Sequence, residues 1–407
     1  MEDKYRIEPH LLCMSSDNID RISSNKPLSN EEPNNDRFCY RDTKYECQRR
    51  TPLNHHNQKF TEALEMLEKH ASYIDREHGE SRALAFRKAS CALKSYPREI
   101  TRIEEISGIT HVGEHSLRVI TEILENGYSQ EVQSIVSSEV FRVIELFTGI
   151  YGCGPSTAHK WYGLGYRTVQ DIKDNGEILN LNAQQKLGVE FYDDLNVPVL
   201  LSDAIRIQRL IAEQLDTIQT GCSAEVVGGF SRGKQCGHDI DILISHPEED
   251  KVEGLLVQVV DRFNKLDYMI HTALSVGKNV VHNESFVKTK AAQTRSTMDN
   301  LDRCFAIMKV ENSSDDDDSC NSWIARRVDL IVAPSSQYAF SLLGWIGSKQ
   351  FNRSLRLNAW KEMKIHLNSH GMWDHKLTPP KRILAAVEED IFKSLHLDFV
   401  ERQDRNC

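Results

Sequence analysis

Early in the chain apolar residues recur every three or four positions; further on the interval shortens to two. From Phe60 to Leu93 the positions Leu64, Leu67, Leu84, Phe86, Ala89 and Leu93 keep helical spacing, which predicts amphipathic helices facing a core. In Ile240-Asp241-Ile242-Leu243-Ile244 and in Arg327-Val328-Asp329-Leu330-Ile331-Val332 the alternation is that of β-strands. The change of period predicts an α+β fold, with a helical N-terminal domain ahead of a strand-containing region. Residues 1 to about 50 are polar with little apolar periodicity and are expected to form a disordered leader or linker. No apolar run approaches the ~18 residues needed to cross a bilayer.

Two copies of one six-residue frame punctuate the helical part, GITHVG (Gly108–Gly113) and GIYGCG (Gly149–Gly154). Each follows a helix-like stretch and opens another, and Pro155 suits the first turn of the second helix. This is a helix–hairpin–helix pattern. Gly108, Gly113, Gly149, Gly152 and Gly154 leave backbone N–H groups open beside a helix N-terminus, where a phosphate binds well. A single such frame reads equally as a plain helix connection; its duplication with matching flanks favours contact with a phosphodiester backbone.

The strands carry the chemistry. Side chains two apart share a face, so Asp239 and Asp241 project together, as do Arg327 and Asp329. If the two strands are neighbours, three carboxylates converge. Held together they raise one another's pKa, and hard divalent cations offset that repulsion; Mg²⁺ fits an all-carboxylate set. Two ions about 3.5–4 Å apart can activate a hydroxyl and stabilise a leaving oxygen. Upstream, Gly228-Gly229 lets backbone N–H groups approach an anion, with Arg232 and Lys234 adding positive charge and Gly237-His238 a second backbone approach. A glycine-rich turn alone is an ordinary loop. Joined to the paired aspartates and to Asp329 it describes a nucleotidyl-transfer site.

Gly-Gly-Phe-Ser-Arg-Gly, then Gly-His-Asp-Ile-Asp, then Arg-Val-Asp resembles the nucleotidyltransferase palm of the family X DNA polymerases. The resemblance runs from about Thr51 to the C-terminus. His238 before the first aspartate and Gly344-Trp345 are features of its mu-type and terminal-transferase branches; TPLNHHN (Thr51–Asn57), GEHSLRV (Gly113–Val119) and LNSHG (Leu367–Gly371) favour the mu type. The resemblance implies a leader (1–50), a helical 5′-phosphate-binding domain (51–138), a helix–hairpin–helix subdomain (139–198), a palm with a mixed sheet (199–335) and a small α/β nucleotide-selecting subdomain (336–407). Relatives of the mu type carry an N-terminal BRCT domain; fifty residues are too few to build one.

The resemblance further implies a DNA-directed DNA polymerase for gap filling and double-strand break repair by non-homologous end joining. Template-independent terminal transfer is the alternative, and a non-catalytic DNA-end-bridging module the alternative of another class. Asp239 and Asp241 would bridge two Mg²⁺ ions, with Mn²⁺ able to substitute, and Asp329 would complete the catalytic site. Arg232 and Lys349 would meet the triphosphate, His238 the primer terminus and triphosphate, Arg327 a primer phosphate, Asn352 the base or minor-groove side, and Arg356 the nascent pair or template. Gly344 and Trp345 would form the sugar-side wall, with room at Gly344 for a 2′-hydroxyl and hence for NTPs beside dNTPs. Arg87, His115 and Arg118 would contribute to the 5′-phosphate site, and Na⁺ or K⁺ is compatible with a hairpin turn. Partners would be gapped or broken double-stranded DNA, and end-joining proteins if a BRCT-containing form exists; the location would be the nucleus, with no membrane.

Some relatives form a Schiff base through a lysine after the first hairpin; this chain has Val119 there and no lysine from Glu114 to Val136, so no lyase activity is expected. Two positions depart from the pattern. Ser231 replaces the first of two arginines, and Ile346 stands where threonine precedes Gly-Ser. The stretch from Thr272 to Thr297 is placed as a loop that can stand in for a template strand.

A net charge of −10 over 407 residues argues against a uniformly basic DNA binder, although part of the acid lies in the metal site and in Asp315–Asp318, read as a solvated loop. Ten cysteines without a C-x-x-C pair predict reduced thiols rather than a disulfide framework or zinc site.

Overall fold

The computed structural model describes residues 43–75, 77–276, 301–311 and 322–407. The leader as far as residue 42, most of the proposed template loop and Asp315–Asp318 lie outside the described residues.

The helical spacing around Phe60–Leu93 resolves into α1 (Gln58–Ile74) and α2 (Gly79–Lys94), joined by α3 (Glu114–Asn126) and α4 (Gln130–Ser137). Phe60, Leu64, Leu67, Phe86, Ala89, Leu93, Val119 and Ile120 meet in one buried cluster. Each buried Phe, Leu, Ile or Val contributes about 1.5–3 kcal/mol, which holds the helices despite their mixed surfaces. Gly79 allows the tight α1–α2 crossing, because a Cβ there would meet the Ala71 carbonyl oxygen at 2.3 Å.

A second helical group follows: α5 (Glu139–Thr148), α6 (Pro155–Gly163), α7 (Val169–Asp174), α8 (Ala183–Glu190) and α9 (Tyr192–Asn196). Its core contains Phe147, Ile150, Trp161 and Ile172. Ser138, Thr168 and Asn182 cap α5, α7 and α8 with side-chain oxygens, as residues at these positions do.

The palm begins with β1 (Val199–Leu200) and α10 (Leu201–Ile218), then β2 (Ser223–Val226), α11 (Gly228–Ser231), β3 (Cys236–Gly237), β4 (Ile240–Ser245), α12 (Leu255–Lys265), β5 (Met269–Ser275), β6 (Asp302–Glu311) and β7 (Trp323–Val332). Among the described residues five strands form one sheet in the order β2-β4-β7-β6-β5, with β4 and β7 parallel and the other pairs antiparallel. One face of β4 and β7 (Ile240, Ile242, Ile244, Val328, Leu330) is covered by α10 and α12 through Ile207, Ile211, Leu256 and Val259. Period-two alternation puts Asp241 and Asp329 on the opposite face, together with Leu243 and Ile331, which pack against Leu342 and Ile346 of the C-terminal segment.

The chain ends with α13 (Tyr338–Ile346), α14 (Lys349–Met363), β8 (Ile365–Asn368), β9 (Gly371–Asp374), β10 (Lys381–Ile383) and α15 (Glu388–Ser394). Residues 43–50 are not part of a disordered leader: Tyr45 and Cys47 are buried among Phe340, Phe351, Leu355 and Met372 of this C-terminal core. Thr51 then bridges to Arg405, so the start of the helical domain is joined to the end of the chain. Two apolar residues separated by a buried glutamate have no regular period, so the pattern missed them.

Candidate active site

The parallel β4–β7 ladder sets the site. Asp241 is the register partner of Asp329, so the two side chains leave the same face of adjoining strands, and Asp239 sits two residues ahead, immediately before β4. Asp329 is 8% exposed, and burial first, then the charge of Asp241, pushes its carboxyl up to about 8. Burial and the charge of Asp239 push Asp241 up to about 7, against the opposing pull of Arg327 and Arg232. Asp239 accepts a hydrogen bond from Arg327 Nη2 at 2.9 Å.

This last contact amends the expected convergence. Among the described residues no three His, Cys, Asp or Glu side chains stand close enough together to hold a metal ion. Asp239 is paired with arginine, while Asp241 and Asp329 form a two-carboxylate couple. Like charges repel, and the guanidinium is the cation at hand for the most accessible of the three. The donors still fit a divalent ion. Asp329 and the half-buried Asp241, raised in pKa by burial and mutual repulsion, would regain their charge beside a cation, and Asp239 would join them as a third oxygen ligand in exchange for its arginine.

The glycine turn lies directly over this couple. Gly228 has φ +69°, and a Cβ on it would come within 2.1 Å of Asp241 Oδ2, so both its conformation and its neighbour require glycine. The Val227 N–H donates to the Asp241 carbonyl at 2.9 Å and fixes the turn to β4. A Cβ on Gly229 would meet Lys234 Cδ at 3.1 Å, so the exposed Lys234 arches over the turn. Gly237, in β3, packs toward the Phe230 ring, and His238 is exposed between it and Asp239. Arg232 is partly buried at the far side. Its Nη1 donates to the Ile346 carbonyl at 2.5 Å and its Nε to Asn406 Oδ1 at 3.0 Å. Ser231 does not face this pocket; its hydroxyl donates to the Val226 carbonyl, and it lines a separate cavity of about 540 Å³ with Tyr338, Glu388 and Arg402.

Opposite the turn, the bend Ile346-Gly347-Ser348 joins α13 to α14. Ser348 caps α14, accepting from the Phe351 N–H at 3.1 Å, and Lys349 is exposed in its first turn. Asn352 spends its amide on the bend, donating to the Gly344 and Gly347 carbonyls at 2.7 and 3.0 Å. Arg356 Nη2 donates to Ser369 Oγ at 3.3 Å. Trp345 packs partly buried against Val227, Leu243 and Ile331. At Gly344 a Cβ would point at Ser369, 2.8 Å from its Oγ and 3.2 Å from its Cβ. Close approach of the β8–β9 turn accounts for glycine here, which periodicity could not show.

The two hairpins differ in their surroundings. At the first, Gly113 precedes α3 with open space around it. A cavity of about 430 Å³ is lined by Arg82, Phe86, His111, Gly113 and His115. His115 Nε2 lies 2.9 Å from Glu131 Oε2, and Arg118 donates to the same oxygen at 2.8 Å. Arg87 is ion-paired with Glu68, and of Arg87, His115 and Arg118 it is His115 that lines this cavity, beside Arg82 and His111. The second hairpin abuts the strands: Tyr151 lies over the Arg327 guanidinium at 5.8 Å, and Asp194 accepts from the Ala325 N–H at 2.9 Å. Gly152 has φ +81° and packs on Gln184, whereas Gly154 precedes α6 with open space around it.

Comparison with known proteins fits each segment. The family models for a helix–hairpin–helix domain, the fingers domain of DNA polymerase lambda, the DNA polymerase beta palm and the DNA polymerase beta thumb match residues 55–129, 145–196, 202–335 and 341–406. The chain is 40% identical to the DNA-directed DNA/RNA polymerase mu of Homo sapiens over 372 residues, which cover 89% of this chain and 72% of that protein. It is 33% identical to the DNA nucleotidylexotransferase of Monodelphis domestica (90% and 71% covered) and 34% identical to that of Gallus gallus (90% and 70%). The chain belongs to the family X DNA polymerases. It is therefore a DNA nucleotidyltransferase, with DNA and nucleotides as substrates of its class, and family X polymerases use divalent metals. The palm match spans all three aspartates, and the thumb match spans Gly344 to Asn406.

Proposed function

We propose that this family X polymerase fills gaps and extends broken DNA ends by templated, two-metal nucleotidyl transfer in the nucleus, as a mu-type enzyme of non-homologous end joining. The observation that carries the chemistry is the register of Asp241 against Asp329, with Asp239 just ahead of β4 and near enough for its charge to act on both. Asp239 and Asp241 would hold two Mg²⁺ ions, or Mn²⁺, and Asp329 would complete the one nearer the primer; bound, these ions supply the positive charge for attack and departure. The 3′-hydroxyl oxygen attacks the α-phosphorus, the α–β phosphate bond breaks, and pyrophosphate leaves. Asp329, the most buried of the three, would stand beside the hydroxyl as it loses its proton.

Arg232 and Lys349 face the triphosphate in this reading, with the backbone of Gly228-Gly229 and Gly237, Lys234 and His238 beside them. Trp345 and Gly344 bound the sugar, Asn352 holds the bend under it, and dNTPs are the main substrates, with NTPs also admitted. Arg327, now paired with Asp239, would be free to turn to a primer phosphate once cations take its place, and Arg356 would meet the nascent pair. Gly108, Gly113, His115, Gly149, Gly152 and Gly154 line two backbone contacts on gapped DNA. The 33–34% identity to nucleotidylexotransferases keeps terminal transfer as a second reading.

Extension of a gapped duplex and of a single-stranded primer, each with Mg²⁺ and with Mn²⁺, separates the two. The mu-type reading expects template-matched addition on the gap to dominate with Mg²⁺. Equal, unselective addition to the single strand would contradict it.

A further inference from the structure

Asn406 is 6% exposed, and each of its polar groups is engaged. Its Oδ1 accepts from Arg232 Nε at 3.0 Å, and its Nδ2 donates to the Gln403 carbonyl at 2.7 Å. Its backbone N–H donates to the Thr51 carbonyl at 3.1 Å, and its own carbonyl accepts from Lys94 Nζ at 3.3 Å. The amide orientation follows from chemistry, since a guanidinium can only donate and so must face the oxygen. Lys94 is itself fixed by Glu65 of α1, at 2.7 Å. One buried residue near the end of the chain thus ties two points of the N-terminal helical domain to the arginine at the end of the glycine turn.

An arginine side chain has many rotamers to lose, and a ligand that must order it binds more weakly. The Ile346 carbonyl holds one arm of Arg232, Nη1, and Asn406 holds the stem at Nε. Together they leave the remaining N–H groups of the fork in a set direction. We infer that Asn406 is a positioning residue for nucleotide binding: it presets the Arg232 guanidinium, and docking of the helical domain through Thr51 and Lys94 keeps Asn406 in place. The inference rests on the reading of Arg232 as a triphosphate ligand.

The test uses the full chain on one-nucleotide-gapped DNA, reading dNTP KM, kcat and DNA affinity for Asn406→Ala, Asn406→Asp, Arg232→Ala and the Asn406→Ala/Arg232→Ala pair. Loss of a hydrogen bond to a charged group predicts a rise in dNTP KM of roughly tenfold or more for Asn406→Ala, with kcat and DNA affinity within about twofold. Asn406→Asp keeps an oxygen for Arg232 Nε and should hold KM within about threefold of the parent. In the Arg232→Ala background Asn406→Ala should add less than about twofold. An equal penalty in both backgrounds, or an unchanged KM in Asn406→Ala, overturns the inference. Should Asn406→Ala not fold, a tenfold rise in KM for Asn406→Asp overturns it as well. Arg232→Ala with the parent's dNTP KM is a different result, removing the triphosphate role of Arg232 itself.

Discussion

Asp241 faces Asp329 across the parallel ladder of β4 and β7, and both carboxyls hold their protons to a higher pH than an exposed aspartate does. Strand pairing alone creates this couple, and burial makes it costly to ionise. A site that costs stability when empty gains affinity for cations when filled.

That cost has a pH signature. The ordinary aspartate value is 3.8, and the folded values are about 7 for Asp241 and about 8 for Asp329. The native state therefore keeps protons that the unfolded chain has already released. The contribution of these two groups to stability is fully present below the unfolded value and is lost as pH rises from about 4 through the folded values. In chelator, the denaturation midpoint should fall between pH 5 and pH 8, and Asp241→Asn should reduce that fall. An equal fall in both proteins would remove the couple as its source.

Gly228→Ala should disable the site from the phosphate side. The added methyl meets Asp241 Oδ2 at 2.1 Å and must adopt φ +69°. Displacing a catalytic group by about 1 Å costs on the order of 100-fold in rate. Single-turnover extension checks this, with gapped-DNA binding expected to stay within a few-fold; near-normal turnover would show that the turn can move aside.

Gly344→Ala separates packing from sugar selection. Its methyl would strike Ser369 Oγ at 2.8 Å, so overpacking of about 1–3 kcal/mol is expected in a denaturation experiment. Ser369→Gly in the same chain should restore much of that stability. If the double variant recovers stability yet still discriminates dNTP from NTP as the parent does, the room at position 344 serves β8–β9 packing rather than the 2′-hydroxyl. A sharp gain in ribose rejection would restore the pocket reading.

No Schiff-base chemistry is expected at the first hairpin. Val119 is 1% exposed inside the helical core, and the stretch from Glu114 to Val136 has no lysine. Borohydride treatment with a 5′-deoxyribose phosphate end should leave no covalent adduct, and a trapped complex would refute this.

The strand pair with its aspartates was legible because period-two alternation fixes which side chains share a face, and the duplicated hairpins because glycine spacing repeats. What stayed hidden depends on contacts between distant parts of the chain. Tyr45 and Cys47 belong to the C-terminal core, more than 290 positions away, and no local period announces them. Arg405 and Asn406 are buried although polar, the former against Phe351, Phe392 and Phe399 and paired with Glu388, so a hydropathy reading places them outside. Gly228 was read as room for phosphate, and its closest neighbour proves to be Asp241. The pairing of Asp239 with Arg327 was equally invisible, since strand alternation shows a shared face but not which charge satisfies which.

The most direct measurement is primer extension by Asp329→Ala on gapped DNA in Mg²⁺, read beside its DNA affinity. The account predicts that extension is lost, by at least about 1,000-fold, while gapped-DNA binding stays within a few-fold of the parent. Extension at the parent's rate, with the protein folded and bound to DNA, would contradict the claim that these strands bring the aspartates together for nucleotidyl transfer.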